Sequence, residues 1–275
     1  MEYTDISGRC AALIRSRDNE KVKLFSKLDK SKYRKLENLF IAEGVKLSEE
    51  ALKSGLCKYL LIDEKVVRSE SVLRLVKEVG DECEPVVLAS PAFQKISTET
   101  APQGVISVCR VPEHNFNGER GLDILKDRKV LALDGVRDPG NLGTVMRSAL
   151  AFGFDALLVG DSADVYSPKT VRASMGAVFS LPVIESEHLS ETLEAFAASG
   201  RRVMGAVLRG DSLEFGKYPL DRGDIIVIGN EGHGISGAVL DVCTHFVKIP
   251  INSASESLNA AVAASVVMWE YSKLR

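Results

Sequence analysis

Two short apolar runs in the last third of the chain each lead directly into a polar loop and then into a helical pattern. The run at 225–228 continues into a glycine-rich loop at 229–234, and the run that ends at Ile249 continues into a polar loop at 250–259. Short, continuous apolar runs are typical of strands that are buried on both faces of a sheet. In open α/β sheets, ligands bind beyond the carboxyl ends of such strands. The pattern therefore predicts a ligand site that these two loops build together.

Strand-like and helical segments alternate along most of the chain, which predicts a mixed α/β protein with two domains. The first 40 residues are predicted to be helical. Strands are then predicted at 40–43, 59–62, 85–88, 105–108, 130–133, 156–159, 182–184, 203–207, 225–228 and 245–249. A polar segment with the Gly, Pro and Asn content of a linker begins at Pro112. We therefore predict a smaller α/β domain at 1–112, a linker at 113–127, and a parallel-sheet domain with helices on both faces at 128–275.

The composition is typical of a cytoplasmic globular protein with reduced cysteines. The chain of 275 residues is 45% apolar and 27% charged, and its longest apolar stretch, 258–269, is shorter than the roughly 20 residues that span a bilayer. The five cysteines are far apart, with no Cys-x-x-Cys pair, and the four histidines are equally scattered. Neither a disulfide framework, a zinc site nor a catalytic metal is therefore predicted.

The net charge of −3 conceals a basic segment near the N-terminus. Residues 9–35 contain ten Lys or Arg and three Asp or Glu, which is typical of an RNA-contacting surface, with a solvated amphipathic helix as the alternative. Farther along, Lys169 and Arg172 follow a Ser-Pro helix start and share one helical face, where ordinary solvated charges are again the alternative. The candidate RNA-binding residues are Arg9, Arg15, Arg17, Arg34, Lys35, Lys46, Lys169 and Arg172.

The glycine-rich loops do not match the familiar nucleotide-binding motifs. Residues 229–234 read G-x-x-G-x-G, which is not the dinucleotide order, and no acid for a ribose follows about 20 positions later. Residues 135–143 lack the Gly-Lys-Ser/Thr that holds nucleotide phosphates and magnesium. A phosphate-cradling loop of either kind is therefore not indicated.

The turn-forming residues 138–140 precede a helical pattern that carries one arginine on a face of small residues. Asn141 is predicted to be the N-cap of this helix. Arg147 shares a face with Gly143 and Thr144, where its guanidinium suits a phosphate or a developing alkoxide. A surface arginine in an ion pair is the alternative interpretation.

The two later loops also carry candidate polar residues. Glu231 is the only acid among the glycines of its loop, and an exposed loop acid without function is the alternative. Ser253 and Glu256 match a capping box, which predicts that the last helix begins there. Ser257 and Asn259 would then lie inside an Ala/Val-rich helix, where polar side chains need partners.

Taken in order, the three loops resemble the motifs of SpoU/TrmH-type RNA ribose methyltransferases, which belong to the knotted SPOUT class. The similarity extends from about Val130 to the end of the chain. The matching residues are Asn141 and Arg147 in the first motif, Gly229, Glu231 and Gly234 in the second, and Pro250, Ser257, Leu258 and Asn259 in the third. Ser253 replaces a usual glycine, and Ala260 and Ala261 replace a common Val-Ser pair. These departures affect loop shape more than chemistry.

The N-terminal part resembles the SpoU substrate-binding domain, whose fold is that of ribosomal RNA-binding proteins. Residues 41–46 and 99–105 carry this looser similarity, which agrees with the basic segment. The resemblance implies structured RNA as the substrate, ribosomal RNA before transfer RNA, because such domains recognise folded RNA. It also implies a homodimer and a deep trefoil knot, which periodicity alone could not predict.

The resemblance implies S-adenosylmethionine as the cofactor and a ribose 2′-hydroxyl as the methyl acceptor. The cofactor would be held by the main chain around Gly229, Ile249 and Leu258, with Leu208 and Gly210 nearby. The implied catalytic residues are Asn141, Arg147, Glu231, Ser257 and Asn259. A non-catalytic RNA-binding or ribosome-assembly factor and a methyltransferase that acts on a base are the rival functions.

The resemblance assigns activation of the hydroxyl to the arginine that Arg147 matches, although a guanidinium is too basic to accept a proton at neutral pH. We therefore hypothesise that Arg147 binds a phosphate or stabilises the forming alkoxide, and that a phosphate or water takes the proton.

Overall fold

The computed structural model describes residues 2–6, 9–113, 124–217 and 219–274, and it describes side chains for Ile6 and from Ala11 onward. Most of the predicted linker, at 114–123, lies outside the described residues. The chain forms two compact units, of which the first contains Met1–Pro112 and Tyr166–Phe179 and the second contains Glu113–Val165 and Ser180–Arg275. No helix in the described ranges is long and apolar enough to cross a membrane.

The strands, in chain order, are β1 (Glu2–Ile6), β2 (Arg9–Ile14), β3 (Leu39–Glu43), β4 (Cys57–Asp63), β5 (Glu84–Leu88), β6 (Val105–Arg110), β7 (Val130–Asp134), β8 (Ala156–Gly160), β9 (Val183–Ser186), β10 (Val203–Ala206), β11 (Leu213–Glu214), β12 (Ile225–Ile228) and β13 (His245–Lys248). The helices are α1 (Glu20–Lys27), α2 (Ser31–Glu37), α3 (Val45–Lys53), α4 (Glu70–Lys77), α5 (Ser90–Ile96), α6 (Pro139–Ala151), α7 (Pro168–Ser174), α8 (Leu189–Ala198), α9 (Gly237–Val242) and α10 (Ala260–Ser272). Each of the ten predicted strands is present, with ends that differ by at most two residues.

The first unit is built on a mixed six-stranded sheet in the order β1-β2-β5-β4-β6-β3. Strand β5 is parallel to both of its neighbours, β2 and β4, whereas β6 is antiparallel to β4 and β3. Helices α1 and α5 pack on the sheet through a core that includes Phe25, Leu61, Phe93 and Ile106. These apolar side chains come from segments far apart in sequence, so tertiary packing holds the helices against the sheet.

The prediction that the first 40 residues are helical is wrong for residues 2–6 and 9–14. They form β1 and β2, and Ala11, Ala12 and Ile14 are buried where β2 lies between β1 and β5. A short apolar run is compatible with either a buried strand or a buried helix, and here pairing with β5 decides for the strand. Helix α1 begins only at Glu20, after Asn19 accepts a hydrogen bond from the main-chain N–H of Lys21 at 2.9 Å.

Helix α7 confirms the Ser-Pro helix start and belongs to the first unit. Ser167 is the N-cap and its hydroxyl accepts a hydrogen bond from the N–H of Thr170 at 3.2 Å. Phe40 of β3 packs against Tyr166 and Phe179, which flank the helix, with ring centroids 5.0 and 5.8 Å apart. Residues 166–179 are therefore part of the core around β3.

The second unit is a parallel sheet of seven strands in the order β11-β13-β10-β12-β7-β8-β9. The apolar runs predict a parallel sheet of six of these strands, and the short edge strand β11 was not predicted. Its core includes Val130, Leu158, Phe196, Val203 and Ile225. Strands β13, β10 and β12 are direct neighbours, so their carboxyl ends lie side by side. This edge of the sheet carries the candidate site.

Candidate active site

A cavity of about 270 Å³ lies beyond the carboxyl ends of β10, β12 and β13. The glycine-rich loop after β12 and the polar loop after β13 meet there. Together with the ends of the three strands and the start of α10, they provide the lining residues Ala206, Val207, Leu208, Ile228, Gly229, Asn230, Glu231, Gly234, Lys248, Ile249, Ile251, Ser257, Leu258, Ala260 and Ala263. The volume is close to the lower end of the roughly 300–1,000 Å³ range of small-molecule sites.

The glycine-rich loop at 229–234 is held by its own main chain. Asn230 and Gly234 exchange two main-chain hydrogen bonds, at 2.9 and 3.0 Å. The Asn230 side chain donates to the carbonyl of Gly135 at 2.7 Å and accepts from the N–H of Gly232 at 2.8 Å. Gly229 lies so close to the main chain of Gly234 that no side chain would fit there. The loop therefore presents Glu231 in a defined position.

A chain of side-chain hydrogen bonds joins the three motifs. The side-chain amide nitrogen of Asn141 donates to the Glu231 carboxylate at 2.5 Å. The side-chain amide nitrogen of Asn259 donates to the side-chain oxygen of Asn141 at 3.2 Å. The Asn259 oxygen in turn accepts from the main-chain N–H groups of Ala261 and Val262. Both the nitrogen and the oxygen of each asparagine side chain thus form hydrogen bonds, which fixes the orientation of Asn141 between the two other loops.

The prediction that Asn141 caps α6 is wrong, because Asp138 holds that position. The helix begins at Pro139, and the Asp138 carboxylate accepts from the N–H of Asn141 at 2.8 Å. Proline is favoured at the first helical position, which places the cap immediately before it. The Asn141 side chain is therefore available for Glu231 and Asn259.

The predicted capping box of Ser253 and Glu256 is also wrong. Helix α10 begins at Ala260 with Asn259 as its N-cap. The preceding residues form a turn in which Asn252 accepts from the N–H of Ala254 at 2.9 Å, so the local side chain favours a turn over a helix. Ser257 consequently lies in the loop, on the wall of the cavity.

Arg147 is not brought to the other candidate catalytic residues within a single chain. It is exposed on α6, six residues after Asn141, and it does not line the cavity. Six residues correspond to about 9 Å along a helix and to a different face. The chain thus joins Asn141 to Glu231 and Asn259 by hydrogen bonds and places Glu231 and Ser257 on the wall of the cavity. Arg147 is exposed on the same helix as Asn141.

Four of the five candidate cofactor-binding residues line the cavity, namely Leu208, Gly229, Ile249 and Leu258. Gly210 does not, and it lies in an exposed turn after β10. The small residues Ala260 and Ala263 line the cavity but were not predicted. Their three-residue spacing in an Ala-rich helix is a signal that could have identified an open helical face.

Six of the eight candidate RNA-binding residues are exposed, namely Arg15, Arg17, Lys35, Lys46, Lys169 and Arg172. The guanidinium of Arg172 forms an ion pair with Glu99 and donates to the hydroxyl of Thr98 at 3.2 Å, so it also has a structural partner in the first unit. The side chain of Arg9 lies outside the described part of the protein.

Arg34 is a correction to the predicted RNA-binding set. Its side chain is only 5% exposed, and the guanidinium donates to the carbonyl of Leu28 at 2.6 Å. A buried cation that binds main chain supports the turn between α1 and α2 and does not face RNA.

Within the described ranges, no group of three or more His, Cys, Asp or Glu side chains could hold a metal ion.

Comparisons with known proteins identify both parts of the chain. The model of the SpoU rRNA methylase family matches residues 128–269, and that of the MRM3-like substrate binding domain matches residues 19–107. The chain is 36% identical over 259 residues to the 23S rRNA (guanosine(2553)-2′-O)-methyltransferase RlmP of Bacillus subtilis, an alignment that covers 93% of this chain and 97% of the relative.

Solved structures of similar proteins include two with the cofactor bound. The SpoU methyltransferase AviRb from Streptomyces viridochromogenes, in complex with AdoMet, is 28% identical with a TM-score of 0.80 and covers 93% of this chain and 97% of its own. The AdoMet-bound rRNA methyltransferase from Sinorhizobium meliloti is 27% identical with a TM-score of 0.80 and covers 94% and 97%. The similarity extends over both compact units.

Proposed function

Because this chain belongs to the SpoU rRNA methylase family, it is an S-adenosylmethionine-dependent RNA methyltransferase, and we propose that it methylates a ribose 2′-hydroxyl of 23S ribosomal RNA. The observation that carries the proposal is the hydrogen-bonded chain of Glu231, Asn141 and Asn259 beside the cavity. The name of the Bacillus subtilis relative supports guanosine at position 2553 as the first nucleotide to test. We also propose that the protein acts in the cytoplasm.

The cavity residues fit S-adenosylmethionine. Leu208, Ile249 and Leu258 provide apolar walls for the adenine ring, and Gly229 leaves the main chain open to hydrogen bonding. The Glu231 carboxylate at the rim suits a cationic sulfonium, and the cofactor carries no phosphate that would need a phosphate-binding loop. When bound, the cofactor supplies an electrophilic methyl group.

The side chains around the cavity have separate roles in this proposal. Glu231 fixes the amide of Asn141, and Asn141 with Asn259 orients the ribose at the rim. Arg147 offers a planar set of N–H donors to an RNA phosphate or to the 2′-oxygen as negative charge develops on it. A guanidinium cannot accept a proton near neutral pH, so the proton of the 2′-hydroxyl goes to a phosphate oxygen or to water.

We further propose that the active form is a homodimer in which Arg147 of one protomer lies beside the cavity of the other. The support is an apolar surface, here called the α6–α10 face, formed by the exposed side chains of Leu150, Val262, Val266 and Trp269. Trp269 is 56% exposed and Val262 is 49% exposed. A second copy would cover such a surface through an isologous contact.

We also propose a domain organisation and a knot, both of which the family relationship supports. Residues 1–112 would recognise RNA, 113–127 would link, and 128–275 would carry the methyltransferase chemistry. A deep trefoil knot in the second part would place the loops after β12 and β13 around the cofactor. Chain tracing in an experimental map of the cofactor complex tests the knot.

The activity is tested with radiolabelled S-adenosylmethionine and 23S ribosomal RNA, 16S ribosomal RNA or transfer RNA that lacks modifications. Digestion to nucleosides should place the label in 2′-O-methylguanosine from 23S RNA. Arg147→Ala should abolish the label, whereas Arg222→Ala, an exposed arginine near the amino end of β12, should not change it. Label in a methylated base, or full activity of Arg147→Ala, would contradict the proposal.

The homodimer is tested by sedimentation of the Trp269→Glu variant, which places a charge on the α6–α10 face. We expect the wild type to sediment as a dimer and the variant as an inactive monomer. Co-folding Arg147→Ala with Asn259→Ala subunits should then restore part of the activity, because one mixed site keeps both side chains. A fully active monomeric Trp269→Glu variant would exclude the shared site.

A further inference from the structure

Three cysteines of the first unit come together although they are far apart in sequence. Cys57 opens β4, Cys109 is its cross-strand partner on β6, and Cys83 immediately precedes β5. The sulfur of Cys83 lies 3.4 Å from that of Cys57. All three are buried, and none is in a disulfide. We call these residues the thiol cluster.

The surroundings of Cys57 favour its thiolate. Hydrogen bonds from the thiols of Cys109 and Cys83, together with the positive charge of Arg110, lower the pKa of Cys57, although burial opposes the shift. Burial raises the pKa of Cys109, so this side chain keeps its proton. Within the thiol cluster, Cys57 is therefore the sulfur that loses its proton more readily than Cys109.

The pKa of Cys243, in the second unit, is raised, whereas that of Cys57 is lowered. Burial is the main cause that raises its pKa to about 11, and its thiol donates to the carbonyl of Val239 at 3.2 Å. This thiol is a packing group held in its neutral form. Cys243 therefore provides an internal reference for an unreactive cysteine in the same protein.

The thiol cluster is closest to solvent at Cys83. This residue follows the exposed residues 80–82, and its N–H donates to the carbonyl of Gly80 at 3.2 Å. Cys83 is 8% exposed, against 2% for Cys57 and 0% for Cys109. A small oxidant that enters beside this turn therefore reaches Cys83 first, and the Cys57 sulfur is in contact with that of Cys83.

We propose that Cys57 and Cys83 are an oxidisable dithiol that forms a reversible disulfide on reaction with hydrogen peroxide. The Cys57 thiolate attacks one peroxide oxygen, the O–O bond breaks, and the departing hydroxide takes a proton to leave as water, so that Cys57 becomes a sulfenic acid. The Cys83 sulfur then attacks the Cys57 sulfur, the S–O bond breaks, and the hydroxide leaves as water with the Cys83 proton. Two thiols lose two electrons in total, and one peroxide becomes two waters.

The geometry requires only a local movement. The sulfurs must approach by roughly 1.4 Å, from 3.4 Å to the length of a disulfide bond. Strands β4 and β5 are parallel neighbours, paired from Tyr59 and Glu84 onward. The disulfide would therefore link the amino ends of two adjacent strands and close a loop that contains α4.

The test treats the folded, full-length protein with one equivalent of hydrogen peroxide and then denatures it in N-ethylmaleimide, so that all remaining thiols are blocked. The tryptic peptides are mapped without reduction. The five cysteines fall in separate tryptic peptides, at 10–15, 54–58, 78–95, 96–110 and 223–248, so each pairing is distinguishable. We expect peptides 54–58 and 78–95 to be cross-linked and to separate on reduction with dithiothreitol. All five peptides alkylated, or a main cross-link from 54–58 to 96–110, would overturn the proposal.

Two variants separate the reactive pair from general oxidation. Cys83→Ser should leave Cys57 as a sulfenic acid that dimedone labels, with no cross-link to 78–95. Cys243→Ser should form the same cross-link as the wild type. In a Cys83→Ser protein that is denatured in dimedone after the peroxide treatment, the absence of both a dimedone label on 54–58 and a cross-link from 54–58 to 96–110 would show that Cys57 is not the attacking group. Loss of the cross-link in Cys243→Ser would show that the pairing is not local.

Discussion

Gly229→Ala is expected to weaken cofactor binding and methyl transfer by moving the loop that carries Glu231. A methyl group at this position would come within 2.5 Å of the carbonyl oxygen of Gly234 and still closer to the carbonyl carbon of Gly234 and the nitrogen of Ile235. All three are main-chain atoms, so no side chain can rotate away. The loop itself must move by roughly 1 Å to reach ordinary van der Waals separation.

The size of the effect follows from what holds the loop. Moving it strains the two main-chain hydrogen bonds between Asn230 and Gly234 and displaces Glu231 from Asn141. Overpacking of this kind costs about 1–3 kcal/mol of folding stability. A misplacement of about 1 Å in a catalytic group costs about 10²-fold in rate. We therefore expect a moderate loss of stability and a loss of kcat/KM of about two orders of magnitude.

Gly232→Ala is the matched control within the same loop. A methyl group there has as its nearest neighbour the side-chain oxygen of Asn230 at 3.5 Å, which is an ordinary contact. Calorimetry with S-adenosylmethionine, the methyl-transfer assay and urea unfolding should all show Gly232→Ala close to wild type. Wild-type cofactor affinity in Gly229→Ala, or equal losses in both variants, would refute the steric argument.

Asn141→Asp would replace the donated hydrogen bond to Glu231 by a second carboxylate, so we expect kcat to fall by about 10²-fold with the fold intact; Asn252→Asp, which keeps its acceptor role towards Ala254, should be near wild type in the same assay. Arg34→Ala should lower the free energy of unfolding by about 1–3 kcal/mol because a buried main-chain hydrogen bond is lost. Lys35 is adjacent and exposed, so Lys35→Ala should leave the free energy of unfolding unchanged and should weaken RNA binding. The slope of the logarithm of the binding constant against the logarithm of salt concentration should become smaller by about 1. An unfolding loss in Lys35→Ala, or stable Arg34→Ala with weak RNA binding, would contradict this assignment.

Ten of the thirteen described strands could be predicted because each is a compact apolar run, whereas β1, β2 and β11 were missed. The residues of β12 are apolar throughout and fully buried, so the run itself reports burial on both faces. The position of β12 between β7 and β10 is different information. It depends on which strands pair across the sheet, and a one-dimensional pattern does not contain that.

Helix starts were the least predictable feature of the site, since several residue types cap equally well. Asp138 and Asn141 are both good N-caps, and Pro139 was the discriminating residue. Ser253 and Asn259 pose the same choice, which the turn around Asn252 settles. The correct caps explain the site, because Asn259 caps α10 through its oxygen and contacts Asn141 through its nitrogen.

Side-chain exposure within the basic segment could not be predicted from charge. Arg34 and Lys35 are adjacent and both basic, yet one is buried and the other exposed. The difference depends on which face of α2 meets the carbonyl of Leu28. The thiol cluster has the same origin, because Cys57, Cys83 and Cys109 show no spacing pattern in sequence and meet only through strand pairing.

The chain contributes to its first compact unit twice, at Met1–Pro112 and again at Tyr166–Phe179. A chimera that joins residues 1–112 to a foreign C-terminal segment would therefore lack α7 and the flanking rings of Tyr166 and Phe179 that pack on Phe40. A truncated protein that starts at residue 128 would carry Val171, now 1% exposed, into water and should aggregate. A single crossover therefore cannot exchange either compact unit intact.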